Sequence, residues 1–251
     1  MFYKGQQKGS EISQTTMSKN LSPSSRRRKI SALSQFYSYL VADEVFGKKL
    51  IVNPVNSILH NVRLKDVDIQ HTVRLSRDEF EVLIEKNWRP REQLILHLLF
   101  WGGLRLAELT RLKKDSLNSE TQTLTLVRKG GSVHKLKIEH FSRIEFLWNR
   151  YLQGMKQYSL NNGDENKSEY LFASKLHLLS SSRAITERAM VNIIQNCFKK
   201  ANILNRGLSP HSFRKGCATE LYFKTKDLLY VRDYLNHQDA KVTQTYIDMI
   251  V

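Results

Sequence analysis

An almost unbroken run of large apolar side chains in the first half of the chain places the strongest constraint on its fold. Between Leu94 and Trp101 the only polar residue is His97. A helix that is apolar on nearly every side has no face for solvent, so other elements of the domain must surround it. The run is far too short to cross a membrane. A glycine pair, Gly102 and Gly103, follows it and permits a close turn.

Helical signals recur on both sides of this central segment. Ser76 and Glu79 form a capping box, which predicts a helix start, and Phe80, Leu83 and Ile84 follow at positions that face a core. Caps and apolar spacing predict the remaining helices. One begins at Ser22 and Pro23, and another begins at Ser209 and Pro210. Four more span residues 92–101, 105–112, 140–155 and 184–201, and a final helix starts near Asp239.

Two short segments in the middle of the chain have the alternating pattern of strands. Residues 121–127 and 133–138 are separated by a glycine-containing turn with Lys129 near its tip, which is typical of a β-hairpin. The predicted fold is therefore mainly α with a small antiparallel β-sheet, an α+β architecture.

A polar segment predicts a division of the chain into two parts. Residues 65–74 contain few large apolar side chains and are the candidate linker. We accordingly separate residues 1–70 from residues 71–251. The first twenty residues are polar and weakly patterned, so we expect a disordered start.

The net charge indicates the class of partner. Lysine and arginine outnumber aspartate and glutamate by 40 to 24, which gives a net charge of +16. Such an excess favours nucleic acid, because each neutralised phosphate releases counterions, over a membrane surface or an unpartnered basic surface. We predict DNA binding by Arg26, Arg27, Arg28 and Lys29, where a docked phosphate would also meet a helix N-terminus. A solvated basic face is the alternative for this cluster.

Several other classes of protein have no support in the sequence. Cys197 and Cys217 are the only cysteines, and their spacing fits neither a disulfide framework nor a zinc site. The N-terminus lacks the pattern of a secretory signal, so we expect a cytoplasmic protein without membrane association. No metalloprotease motif, P-loop or carboxylate cluster occurs, which argues against a two-metal nuclease or an NTPase.

Five residues whose side chains suit phosphodiester chemistry occur in a suggestive order. They are Arg105, the His211 and Arg214 pair three residues apart, His237 and the late Tyr246. Displacement at a phosphodiester builds negative charge on the non-bridging oxygens, and two guanidinium groups can bind those oxygens with paired donors. The late tyrosine is a candidate nucleophile.

The nucleophile and the leaving group each need a partner for proton transfer. A tyrosine hydroxyl is largely protonated at neutral pH, and His211 is the candidate acceptor for the proton of Tyr246. The leaving 5′ oxygen needs a proton donor, which Lys129 at the hairpin tip could supply. Arg128 and Lys135 compete with Lys129 for this role.

Taken singly, these residues are ordinary salt-bridge partners, caps or core side chains; together they resemble a known family. The chain resembles the tyrosine recombinases of the phage integrase family, which include bacterial chromosome-dimer resolvases and transposon and integron integrases. Members of the family carry an arginine, a lysine, His-x-x-Arg, a second histidine or tryptophan, and a tyrosine. The matching positions here are Arg105 in GLRLAEL, Lys129 in VRKGG, His211 and Arg214 in HSFR, His237 in LNH, and Tyr246.

The resemblance implies both the reaction and the assembly. Tyr246 would form a 3′-phosphotyrosyl link, and a 5′ hydroxyl of a second strand would then attack it, without metal, ATP or another cofactor. Four protomers would act on two double-stranded DNA sites, and an accessory DNA-bending protein is a further candidate partner. Residues 1–70 would be a partial helical core-binding domain, and residues 71–251 the catalytic domain.

Two alternatives to an active recombinase remain open. The first is a truncated remnant that binds DNA without full recombination activity. Residues 1–65 have room for only half of the usual core-binding domain, and five residues follow Tyr246. The second is a type IB topoisomerase, which shares the chemistry. Asn236 stands where the family usually has glycine, and we expect it to accept a left-handed backbone.

Overall fold

The computed structural model describes residues 21–42, 52–55, 60, 73–127, 131–162, 168–174 and 183–236. The chain divides into two compact units, Met1–His71 and Thr72–Val251. The expected disordered start, most of the candidate linker, the hairpin tip and the helix expected near Asp239 lie outside the described residues.

The described part of the first unit contains one long helix. Helix α1, Pro23–Ala42, begins with proline in its first turn, as predicted. None of its residues is buried, and Phe36 and Tyr39 are largely exposed. The side-chain amide of Asn53 donates hydrogen bonds to the carbonyl oxygen of Ser34 at 2.8 Å and to the hydroxyl of Ser38 at 2.9 Å. These bonds hold Asn53 against the helix.

The second unit is built around the predicted central helix. Every residue from Leu94 to Phe100 is buried, and this helix packs against one helix that precedes it and four that follow it in the chain. The helices of this unit are α2 (Arg77–Ile84), α3 (Pro90–Phe100, the central helix), α4 (Leu106–Thr110), α5 (Phe141–Asn162), α6 (Glu187–Lys200), α7 (Pro210–Thr225) and α8 (Leu228–Leu235), with a 3-10 turn at Leu204–Arg206.

A small antiparallel sheet completes this unit. Its strands are β1 (Leu117–Asn118), β2 (Thr123–Val127) and β3 (Val133–Lys137), in the order β1-β2-β3. Leu124 pairs with Leu117 on one side and with Leu136 on the other, so apolar side chains line up on the buried face. The predicted strand pair and the predicted α+β fold are confirmed.

The glycine pair after α3 makes the close turn that the sequence predicts. A Cβ atom on Gly102 would lie 2.6 Å from the carbonyl oxygen of Leu98. Gly103 has a φ of 57°, and a Cβ there would lie 2.5 Å from a methyl carbon of Leu235 in α8. Only residues without a side chain allow the turn and α8 to approach so closely.

A buried tyrosine fixes α8 on this turn. The hydroxyl of Tyr234 donates to the carbonyl oxygen of Trp101 at 2.8 Å and accepts from the backbone N–H of Glu139 at 2.9 Å. Burial raises the pKa of this hydroxyl well above its usual value, so it remains a hydrogen-bond donor. The C-terminal end of α8 is thereby held close to the start of α4.

Candidate active site

Arg214 is the most deeply buried charged residue of the candidate site. It lies in the second turn of α7 and is 3% exposed. Its Nη1 donates to the carbonyl oxygen of Gly103 at 2.5 Å, and its Nη2 donates to the carbonyl oxygen of Leu235 at 2.6 Å. A planar guanidinium can bind two carbonyls at once, so Arg214 joins the glycine turn to the last turn of α8.

Arg105 also contacts the C-terminal end of α8. It is the residue immediately before α4, as the sequence predicts, and its side chain is 44% exposed. Its Nη2 donates to the carbonyl oxygen of Asn236 at 3.4 Å, and its Nη1 donates to Oε1 of Glu108 at 3.1 Å. Arg105 therefore keeps an exposed part of its guanidinium at the surface while Glu108 restrains its orientation.

Glu108 is a site residue that the sequence analysis missed. It is only 6% exposed, and its Oε2 accepts the backbone N–H of Arg105 at 2.7 Å while its Oε1 binds the guanidinium. One carboxylate thus fixes both the backbone and the side chain of Arg105. The Arg-x-x-Glu spacing, which places a carboxylate at the third position of a helix, was the signal that could have found it.

The two arginines converge on successive carbonyl groups at the C-terminal end of α8. These carbonyls belong to Leu235 and Asn236, and the second residue has a left-handed backbone with a φ of 48° and a ψ of 60°. A helix C-terminus carries partial negative charge, which attracts guanidinium groups. The expectation that Asn236 would accept a left-handed conformation is confirmed.

His211 lies in the first turn of α7, one turn before Arg214, and is an exposed residue. Desolvation of its ring is the largest influence that lowers its pKa, and the positive charges of Arg214, Lys215 and Arg105 lower it further. These influences favour the neutral imidazole, which is the form that can accept a proton.

The structure describes only part of the predicted residue set. It brings Arg105 and Arg214 to the end of α8 and lets the charges of both reach His211. Lys129, His237 and Tyr246 lie outside the described residues. The alternative hairpin cation Lys135 lies on β3 and is exposed. The exposed members of the Arg26, Arg27, Arg28 and Lys29 cluster project from α1, in the other unit.

The described residues contain no group of histidine, cysteine, aspartate or glutamate side chains arranged to hold a metal ion. Cys197 and Cys217 are both buried free cysteines, and burial raises the pKa of each thiol to about 12. In the part of the chain that the structure describes, no helix combines the length and apolar character that a bilayer crossing requires.

Comparison with known proteins reveals extensive similarity. Residues 59–250 match the family model described as "Phage integrase family". The chain is 29% identical over 222 residues to the tyrosine recombinase XerC of Haemophilus influenzae, which covers 87% of this chain and 68% of the relative. It is 25% identical over 242 residues to a tyrosine recombinase of Agathobacter rectalis, with 91% of this chain and 73% of the relative covered.

Solved structures share the same fold at lower sequence identity. The recombinase XerH, solved in a post-cleavage complex with a palindromic difH substrate, superposes with a TM-score of 0.64 and 20% identity. That match covers 94% of this chain and 66% of XerH. A lambda integrase dimer bound to a COC′ core site superposes with a TM-score of 0.59 and 15% identity, over 94% of this chain and 61% of the integrase.

The chain thus spans about two thirds of the length of several of these proteins. The family match covers most of the second unit, including the helices that carry Arg105, His211 and Arg214. The chain therefore belongs to the phage integrase family of tyrosine recombinases.

Proposed function

We propose that this protein is a site-specific DNA recombinase that cleaves and rejoins DNA strands through a 3′-phosphotyrosyl intermediate on Tyr246. The observation that carries the proposal is the convergence of Arg105 and Arg214 at the end of α8, where the charges of both also act on His211. His237 directly follows Asn236, whose carbonyl Arg105 binds. The proposed catalytic set is Arg105, Lys129, His211, Arg214, His237 and Tyr246.

The two arginines would stabilise the charge that develops on the phosphate. Each guanidinium has five N–H donors, and the bonds of Arg105 to Glu108 and Asn236 use only two of its five. Arg214 is held rigidly because it is buried, whereas Arg105 keeps an exposed surface toward solvent. Donors that are fixed before the substrate arrives cost no reorganisation during the reaction.

In the proposed cleavage step, the hydroxyl oxygen of Tyr246 attacks the phosphorus while the bond to the 5′ oxygen breaks. His211 accepts the tyrosine proton, which the lowered pKa of its imidazole permits at neutral pH. Lys129 donates a proton to the leaving oxygen, and His237 adds a hydrogen bond to the phosphate. The phosphotyrosyl bond retains the energy of the broken bond, so rejoining needs neither ATP nor a metal ion.

The proposed partner is double-stranded DNA. The net charge of +16 favours association with phosphates, and XerH and the lambda integrase were both solved with DNA. Arg26, Arg27, Arg28 and Lys29 would bind the DNA backbone from α1. As the resemblance implies, four protomers would act on two sites, with a DNA-bending protein as a candidate accessory factor. The first unit would serve as a partial core-binding domain.

A suicide-substrate assay tests this proposal. The protein is incubated with nicked duplexes from its own genomic neighbourhood, and products are separated under denaturing conditions. We expect a covalent protein–DNA band that Tyr246→Phe abolishes while DNA binding remains. Tyr158→Phe, at an exposed position of α5, serves as the matched control and retains the band. Binding without a covalent band in the wild type would instead favour a DNA-binding remnant.

A further inference from the structure

A buried lysine lies beside the candidate site and has no part in the steps above. Lys215 follows Arg214 in α7 and is only 6% exposed. Lysine is among the residues least often buried, because the ammonium group loses its hydration. Burial accordingly lowers the pKa of Lys215.

The backbone around Lys215 is held firmly in place. The carbonyl oxygen of Lys215 accepts the hydroxyl of Thr219 at 2.9 Å. The next residue, Gly216, lies so close to the chain before α2 that an added Cβ would be 2.3 Å from the carbonyl oxygen of Leu75. Leu75 in turn donates its N–H to the carbonyl oxygen of Ser212 at 3.2 Å. The direction in which Lys215 leaves the helix is therefore fixed.

That direction places Lys215 on the same helical face as His211. The two residues are four positions apart in α7, and residues at this spacing are neighbours on a helix surface. The charged groups that act on His211 are Arg214 and Lys215 from its own helix and Arg105 from the start of α4, and all three are positive. Each of them favours the neutral imidazole.

A bound phosphodiester would act in the opposite direction. Its negative charge favours the protonated imidazole, which cannot accept a proton from a tyrosine. Arg105 and Arg214 are the groups expected to bind the phosphate directly, so their charges are largely offset when DNA is present. Lys215, one turn after His211 in α7, adds a third positive charge beside it that is not needed to bind the phosphate.

We propose that Lys215 is a positioning residue whose ammonium charge keeps His211 available as a proton acceptor while a phosphodiester occupies the site. The consequence of this charge for catalysis rests on the function proposed above. The effect of Lys215 on the pKa of His211 is a property of the folded protein and can be measured without DNA.

The first test is an NMR titration of the histidine side chains in the full chain. His211→Gln identifies the His211 signal, and the titration is repeated in Lys215→Met and Lys215→Arg. Lys199→Met, at an exposed position at the end of α6, removes the same charge elsewhere and is the matched control. We expect the pKa of His211 to rise in Lys215→Met and to stay at the wild-type value in Lys215→Arg and Lys199→Met.

An unchanged His211 signal in a folded Lys215→Met protein would overturn the proposal. An equal rise in Lys199→Met would also overturn it, because the effect would then come from net charge alone. If Lys215→Met fails to fold, Lys215→Gln provides the neutral variant, and Lys215→Arg tests whether charge at this position is sufficient.

The second test measures covalent attachment to the nicked duplex between pH 6 and pH 8.5. The ratio of the rates at pH 8.5 and pH 6 is expected to be about two- to fivefold larger in Lys215→Met than in the wild type, because more of the imidazole is protonated at the lower pH. An equal loss of rate at both pH values would indicate a merely structural role and refute the proposal. If neither the wild type nor any variant attaches while the His211 pKa still rises in Lys215→Met, the proposed function fails and only the electrostatic effect of Lys215 on His211 stands.

Discussion

Replacing Arg214 with lysine should separate the structural role of this residue from its charge. Arg214 is 3% exposed and its guanidinium bonds the carbonyl oxygens of Gly103 and Leu235 at 2.5 and 2.6 Å. A single ammonium group cannot reproduce this fork, so at least one buried carbonyl loses its partner. An unsatisfied buried group costs about 1–3 kcal/mol, which corresponds to roughly 2–12 °C in Tm for a chain of this size.

The matched variant is Arg105→Lys, which also preserves charge. The side chain of Arg105 is 44% exposed and its bonds are longer, at 3.1 and 3.4 Å, so solvent can replace them and the expected loss is below about 1 kcal/mol. Urea unfolding and thermal melts of both variants measure the difference. Equal stability of Arg214→Lys and Arg105→Lys would refute the reasoning that the buried fork holds α8 to the glycine turn.

Three further predictions concern neighbouring residues. Glu108→Gln should slow covalent attachment about tenfold in single-turnover assays while lowering stability by only about 1 kcal/mol, because Arg105 loses a charged restraint. Gly103→Ala should cost at least about 1–2 kcal/mol in urea unfolding, since φ is 57° and Leu235 lies close. Burial lowers the pKa of His97 from 6.5 to about 4, so acidification across that range should remove up to about 3 kcal/mol of stability, and His97→Phe should flatten this dependence.

The sequence is sufficient to predict the elements whose signals are local. The central helix is recognised because Leu94 to Phe100 are apolar except for His97, and the start of α2 is recognised because Ser76 and Glu79 form the capping box that the structure contains. The end of α5 lies beyond the predicted residue 155, at Asn162, because its last turns are polar and show no apolar stripe.

One helix near the site escaped the sequence analysis altogether. Helix α8 has only eight residues, too few for a clear periodic pattern. Its local signal was Asp227, whose carboxylate accepts the backbone N–H groups of Leu229 at 2.8 Å and Tyr230 at 3.1 Å. Such a cap indicates a helix start, but a single aspartate is too common to decide the question without the tertiary contacts that stabilise α8.

The order of residues in the sequence was enough to predict a candidate set of site residues, but it could not predict the partners that Arg105 and Arg214 have in the structure. The bonds of Arg214 reach across 111 residues to Gly103 and 21 residues to Leu235, and both acceptors are backbone carbonyls. A carbonyl is present at every position, so its participation leaves no trace in the sequence. Lys215 was missed for a related reason, because burial of a lysine depends on how closely Gly216 lets α7 approach Leu75.

The contacts of Arg105 and Arg214 with the end of α8 stabilise two neighbouring positive charges. The C-terminal carbonyls of α8 compensate part of the positive charge of Arg105 and Arg214 in the absence of DNA, so two guanidinium groups can lie near each other in a folded protein. A phosphate would add a stronger compensating charge, and Arg105 could bind it without giving up the carbonyl of Asn236, since its two bonds use only two of its five donors. The site is therefore stable when empty and electrostatically prepared for an anion. Helix α7, which carries His211 and Lys215, is anchored by hydrogen bonds to Leu75, Gly103 and Leu235. These contacts help to offset the cost of burying the additional charge of Lys215 beside the two arginines.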